Sequence, residues 1–139
     1  MGKYMTNLQK IQEFFKRDRF ATEQGIVIEE AKPLYAVCSI TPQERHKNAG
    51  GLVQGGVIFT LADFAFAVAA NCGGNMTVSL ENSISFISSP RGKITAKAVI
   101  YRETEKIVFC DVTVYDEQQN LIAKMNVTGY KKGINLSIL

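Results

Sequence analysis

The chain lacks most of the features that place a sequence quickly. It has three cysteines, Cys38, Cys72 and Cys110, far apart and with no CxxC spacing. That excludes a disulfide framework and a thiolate metal knuckle, and predicts free buried thiols in a reducing compartment. It has one histidine, His46, for which a surface or loop-bracing role is expected. The opening residues 1–8 lack the apolar stretch of a secretion signal. The apolar run over residues 57–70 is too short to span a bilayer and is interrupted by Asp63. A cytoplasmic protein without a membrane partner is therefore the expectation. The net charge of +3 is mild, and the scattered Lys and Arg residues do not form a nucleic-acid footprint. No internal repeat or low-complexity segment is present. With 139 residues, 46% hydrophobic and 21% charged, the chain suits one domain with a sizeable core.

What is present concentrates in residues 48–63, Asn-Ala-Gly-Gly-Leu-Val-Gln-Gly-Gly-Val-Ile-Phe-Thr-Leu-Ala-Asp. A glycine-rich loop runs directly into a long apolar segment, predicted as a helix over about residues 55–72 and stopped by Gly73-Gly74. A helix apolar on every side must be wrapped by other structure. Asp63 is its only charge between residues 57 and 70. A carboxylate there has a structural partner or serves chemistry, because unpaired burial of charge is expensive.

The rest reads as one helix and six strands. Leu8, Ile11, Phe14 and Phe15 recur at helical spacing over residues 7–20. Residues 26–30 and 34–40 are short β-branched runs joined by a Lys32-Pro33 turn. After the long helix come strands at 76–87, 93–101, 107–115 and 121–130, separated by turns at 88–92 and 116–120. Short turns between successive strands imply antiparallel pairing. The expected fold is α+β, a curved antiparallel sheet wrapped around one long central helix. Residues 1–24 form an N-terminal helix and connector, and 25–139 the main body of a single domain.

The stretch His46-Lys47-Asn48-Ala49-Gly50-Gly51-Leu52-Val53-Gln54-Gly55-Gly56, followed by Leu61 and Asp63, resembles the hotdog-fold acyl-CoA thioesterases of the phenylacetate-degradation (PaaI-type) family. That family shows a pattern close to H-x-N-x-x-G-x-x-H-G-G before an apolar helix carrying an Asp. Residues 79–86 look like its central strand. The resemblance implies a hotdog fold and hydrolysis of a small, aromatic or medium-chain acyl-CoA, with coenzyme A as part of the substrate and no metal or separate cofactor. It implies Asp63 as nucleophile or general base, and the Gly55 amide, with Gly56 beside it, polarising the thioester carbonyl. Asn48 matches the motif Asn, and Ser79 a strand hydroxyl that positions water in some relatives. Gln54 stands where the family usually has His; it keeps a donor and an acceptor but cannot titrate. Phe64 is expected to line the acyl pocket, and Arg91 and Lys93 to meet the nucleotide phosphates of coenzyme A.

One consequence follows from helix geometry. Gly55 and Asp63 are eight residues apart, about 12 Å along a helix at roughly 1.5 Å per residue. One thioester cannot touch both, so a shared reaction needs Gly55 of one subunit and Asp63 of another. A homodimer at least is expected, with a homotetramer as its further assembly. The competing readings are a non-catalytic acyl-CoA-binding hotdog module and an acyl-thioester hydratase. The hydratases usually pair Asp with a nearby His, whereas His46 lies seventeen residues before Asp63.

Overall fold

The computed structural model describes residues 4–139; Met1-Gly2-Lys3, part of the opening stretch read above as lacking a secretion signal, lie outside it. Six strands form one sheet in the order β1-β2-β4-β5-β6-β3. They are β1 (Val27–Lys32), β2 (Tyr35–Ile40), β3 (Asn75–Phe86), β4 (Ile94–Glu103), β5 (Ile107–Tyr115) and β6 (Leu121–Asn135). Every neighbouring pair is antiparallel. The helix α3 (Gly55–Asn71) packs across this sheet against β2, β3, β4 and β5. This is the hotdog arrangement expected from the sequence. No helix among the described residues is long and apolar enough to cross a membrane.

Alternation explains the packing. On β4 Ile94, Ala96, Ala98 and Ile100 point inward, and on β5 Val108, Cys110, Val112 and Val114 do so. A pleated strand sends every second side chain to one face. These meet Leu61, Ala62, Ala65, Phe66, Val68 and Ala69 of α3 in a single core. Small residues let the helix approach closely. Gly129 on β6 is the tightest point: a Cβ there would lie 2.7 Å from Val108 Cγ2 and 2.8 Å from Phe66 Cζ. All three cysteines are free and buried. Burial pushes the Cys72 thiol up to about 11 and Cys110 up to about 12, and raises Cys38 further still, so none is a ready thiolate.

The N-terminal segment differs from the single helix expected over residues 7–20. It breaks into α1 (Asn7–Phe15) and α2 (Arg19–Glu23). Asp18 causes the break by capping α2, its Oδ1 accepting from the Ala21 N–H at 3.1 Å. Ile11, Phe15 and Ala21 join the main core, and α1 rests on β1. The last strand runs to residue 135 instead of 130, since pairing with β3 (Asn75 with Asn135, Thr77 with Lys131) extends a polar stretch that shows no alternation of its own.

Candidate active site

The loop before α3 is closed by hydrogen bonds that explain why its residues stand where they do. The buried His46 ring accepts from the Gln43 N–H at Nδ1, 2.9 Å away. Its Nε2 therefore carries the proton and faces Gln24 Oε1 at 3.2 Å. Burial, then the neighbouring Arg45 charge, hold its pKa below the ordinary value. Asn48 folds the turn that follows: its Oδ1 accepts from the N–H groups of Gly50 (2.9 Å) and Leu52 (3.1 Å). The Gln54 N–H donates to the His46 carbonyl at 2.9 Å, which anchors the start of α3.

At that start two donors are left over. Gln54 is the extended N-cap residue and its side chain makes no capping bond. The N–H groups of Gly55 and Gly56 make no hydrogen bond among the described residues, as the first amides of a helix have no partner within it. Glycine at 55 also answers a packing need. An added Cβ would come within 3.3 Å of the Phe86 ring.

Asp63 sits two turns further along, half-buried. One oxygen accepts from Asn82 Nδ2 at 2.8 Å, a bond reaching across from β3. Burial raises the Asp63 pKa above the usual carboxylate value; the Asn82 bond opposes that rise, and the Asp18 charge adds to it. The carboxylate opens on a cleft of about 320 Å³ lined by Asp18, Phe20, Ala21, Phe59, Thr60 and Phe64. Phe64 is buried, and its ring meets Phe15 edge to face at 5.7 Å. A second cleft of about 400 Å³ adjoins it and includes Gln54 and Gly56 in its lining. A larger hollow of about 470 Å³, between α1 and the C-terminal tail, includes none of these residues.

The fold thus brings Asp63 and Phe64 into one cleft and Gln54 and Gly56 into the next. Gly55 and Asp63 remain on one unbroken helix, about 12 Å apart along its axis. Asn48, Ser79, Arg91 and Lys93 line neither cleft. Ser79 is exposed on β3. Arg91 is exposed at its turn, where its N–H donates to Asp116 Oδ2 at 3.1 Å. Lys93 is held in an ion pair with Glu29 at 2.5 Å, and Ser39 also donates to that Glu29 oxygen. Among the described residues no group of three or more His, Cys, Asp or Glu could hold a metal ion.

Asn82 was not singled out from the sequence, although a signal was there. It alternates with Ile84 and Phe86 on β3, and both Asn82 and Ile84 are half-buried. A polar side chain on the inward face of a strand needs a partner. Nothing local says that the partner is Asp63, nineteen residues earlier.

Comparison with known proteins agrees with this fold. The thioesterase superfamily matches residues 50–123, from the glycine loop through β5. An Archaeoglobus fulgidus protein provisionally named an esterase is 30% identical over 119 residues, 84% of this chain and 77% of that one. The acyl-coenzyme A thioesterase PaaI of Escherichia coli K12 is 26% identical over 127 residues, 90% of this chain and 91% of that protein. A solved structure of E. coli PaaI has a TM-score of 0.86 at 24% identity, covering 94% of this chain and 99% of that one. A hypothetical thioesterase of Streptococcus pneumoniae, solved with coenzyme A, has a TM-score of 0.80 at 20% identity, covering 87% and 98%. With its hotdog sheet, its central helix opening on Gly55-Gly56 and its helical Asp, the chain belongs to the thioesterase superfamily and is a thioester hydrolase of the PaaI type.

Proposed function

We propose that this chain hydrolyses a small, aromatic or medium-chain acyl-CoA to the free acid and coenzyme A. The observation that carries the reading is Asp63, a half-buried carboxylate oriented by Asn82 and open to a cleft. One of its oxygens is fixed while the carboxylate still faces the cleft. It then attacks the thioester carbon directly or takes a proton from the water that does so. The acyl-coenzyme A named for the E. coli relative and the coenzyme A held by the S. pneumoniae structure support this substrate class.

The carbonyl oxygen is received by the Gly55 amide, with Gly56 beside it, at the positive end of the α3 dipole. Because that amide lies about 12 Å along the axis from Asp63 of the same chain, the donor comes from a second subunit. β3 offers the surface for such a pairing. It is a 12-residue edge strand, bonded to β6 on one side only, with Val78 and Leu80 exposed. A long edge strand with one row of backbone groups unpaired invites a second strand. A homodimer is therefore proposed as the working unit, with a homotetramer as its further assembly. Asn48 shapes the loop that presents the amides, Gln54 orients the thioester without titrating, and Ser79 positions water at the subunit seam. Arg91 takes the phosphate contact in preference to Lys93, whose charge is already matched by Glu29.

The test has two stages. Release of free thiol from a panel of acyl-CoA esters should show turnover that Asp63→Ala removes. Mixing Asp63→Ala chains with Gly55→Pro chains, which lack the proposed amide donor, should then restore activity. In a heterodimer one site carries both lesions and the other neither, so a statistical mixture recovers about a quarter of the parent sites. Confirmed subunit exchange without recovery would exclude the shared site. Acyl-CoA binding without any turnover in the parent would favour a non-catalytic module.

A further inference from the structure

The two clefts beside α3 have Phe20, Phe59 and Thr60 in common. They are therefore one groove, running along the helix from Gln54 and Gly56 to Asp63. Beyond the shared residues it continues over Ile26, Ile40 and Val57, with Gln24, Arg45 and His46 also in its lining. Thr60 adds little polarity, because its hydroxyl donates to the Gly56 carbonyl at 2.7 Å. The outer wall is the junction of α1 and α2, where the side chains of Arg17-Asp18-Arg19-Phe20 divide. Asp18 and Phe20 line the Asp63 cleft, whereas Arg17 and Arg19 line the separate hollow near the C-terminal tail. Phe20 is 71% exposed, while its neighbour Ala21 is buried and seats α2 in the core. A large aromatic left in water at the mouth of a groove loses the benefit of burial unless something covers it.

Resting on the thioesterase reading above, we propose that Phe20, which shares the lining of both clefts with Phe59, is the boundary that sets how long an acyl group the site accepts. An acyl group with its thioester carbon at Asp63 must send its chain into apolar space continuous with that cleft. Within the continuation Ile26, Ile40 and Val57 supply an apolar strip for it, and Phe20 and Phe59 stand where the two parts join. The ring of Phe20 gains its missing cover from a short or aromatic acyl group. A longer chain must pass it.

The experiment is a profile of kcat/KM across straight-chain acyl-CoA esters. Phe20→Ala should move the preference to longer chains. An ester two methylenes beyond the parent optimum should gain roughly 15-fold relative to that optimum, at about fourfold per buried methylene. Phe20→Leu should shift the profile in the same direction by less, and serves if the alanine variant folds poorly. Arg19→Ala, on the other side of the same segment, should leave the profile unchanged. An unchanged profile in both Phe20 variants overturns the proposal. So does an equal shift in Arg19→Ala, or a change in assembly by light scattering that accompanies the Phe20 effect. A parent that hydrolyses no acyl-CoA fails before any variant is compared, and overturns the thioesterase reading together with the boundary.

Discussion

The loop leading into α3 and the middle of α3 each hold a titratable side chain, and the two are treated in opposite ways. His46 is buried with both ring nitrogens occupied, one by the Gln43 amide and the other by Gln24. Its bonds all close within the chain, so although the ring borders the second cleft, neither ring nitrogen is left for a substrate. Asp63 has one oxygen bonded to Asn82 and faces a cleft. The loop shows how a polar group braces a fold, and the helix how one is kept available. A fully satisfied polar group stabilises, whereas a half-satisfied one in a cleft, with a raised pKa, is a candidate for chemistry.

The comparison is broken most severely at Asp63. Asp63→Ala is expected to lower kcat for acyl-CoA hydrolysis by about 100- to 10,000-fold, the range for loss of a positioned acid–base group. Stability should move the other way. Because its folded pKa lies above the ordinary value, ionising Asp63 disfavours the folded state. That cost appears as pH rises from the unfolded to the folded pKa and is absent below both. Asp63→Asn should therefore melt at an equal or higher temperature than the parent at pH 7, with the difference shrinking in acid. A large fall in melting temperature with activity retained would make Asp63 a brace like His46.

Asn82→Ala should act in the same direction with less force. Losing a hydrogen bond to a charged group corresponds to roughly a 10-fold loss in rate. The removed bond now holds the Asp63 pKa down, so the acid limb of the pH–rate profile should move to higher pH. An unshifted limb would show that a different group titrates there.

His46→Ala sharpens the contrast from the other side. It leaves the Gln43 amide without its acceptor, at a cost of about 1–3 kcal/mol in denaturant unfolding, while kcat per folded molecule changes little. Gly129→Ala provides a purely packing comparison. Its Cβ would meet Phe66 and Val108 below 3.0 Å, for a loss of about 1–3 kcal/mol with the same substrate profile. A smaller effect belongs to Asn48→Ala. The two amides it frees lie in an exposed turn where water replaces the lost acceptor, so about 0.5–1 kcal/mol is expected.

Much of this molecule is legible in one dimension because its causes are local. The alternation of Ile94, Ala96, Ala98 and Ile100 marks a strand wherever it lies, and an unbroken apolar run after Gly55-Gly56 marks a wrapped helix. The free amides at 55 and 56 and the spacing to Asp63 follow from helix geometry alone. Three features were settled only by folding. Asn82 becomes the partner of Asp63 because β3 lies beside α3. Lys93 loses its free charge because β1 brings Glu29 to it. Phe20 reaches the groove because Asp18 starts a second helix, α2, that carries Phe20 to the cleft it shares with Phe59. Each joins residues 19 to 64 positions apart. Periodicity carries no information at that range, and sheet order and helix packing decide which side chains meet.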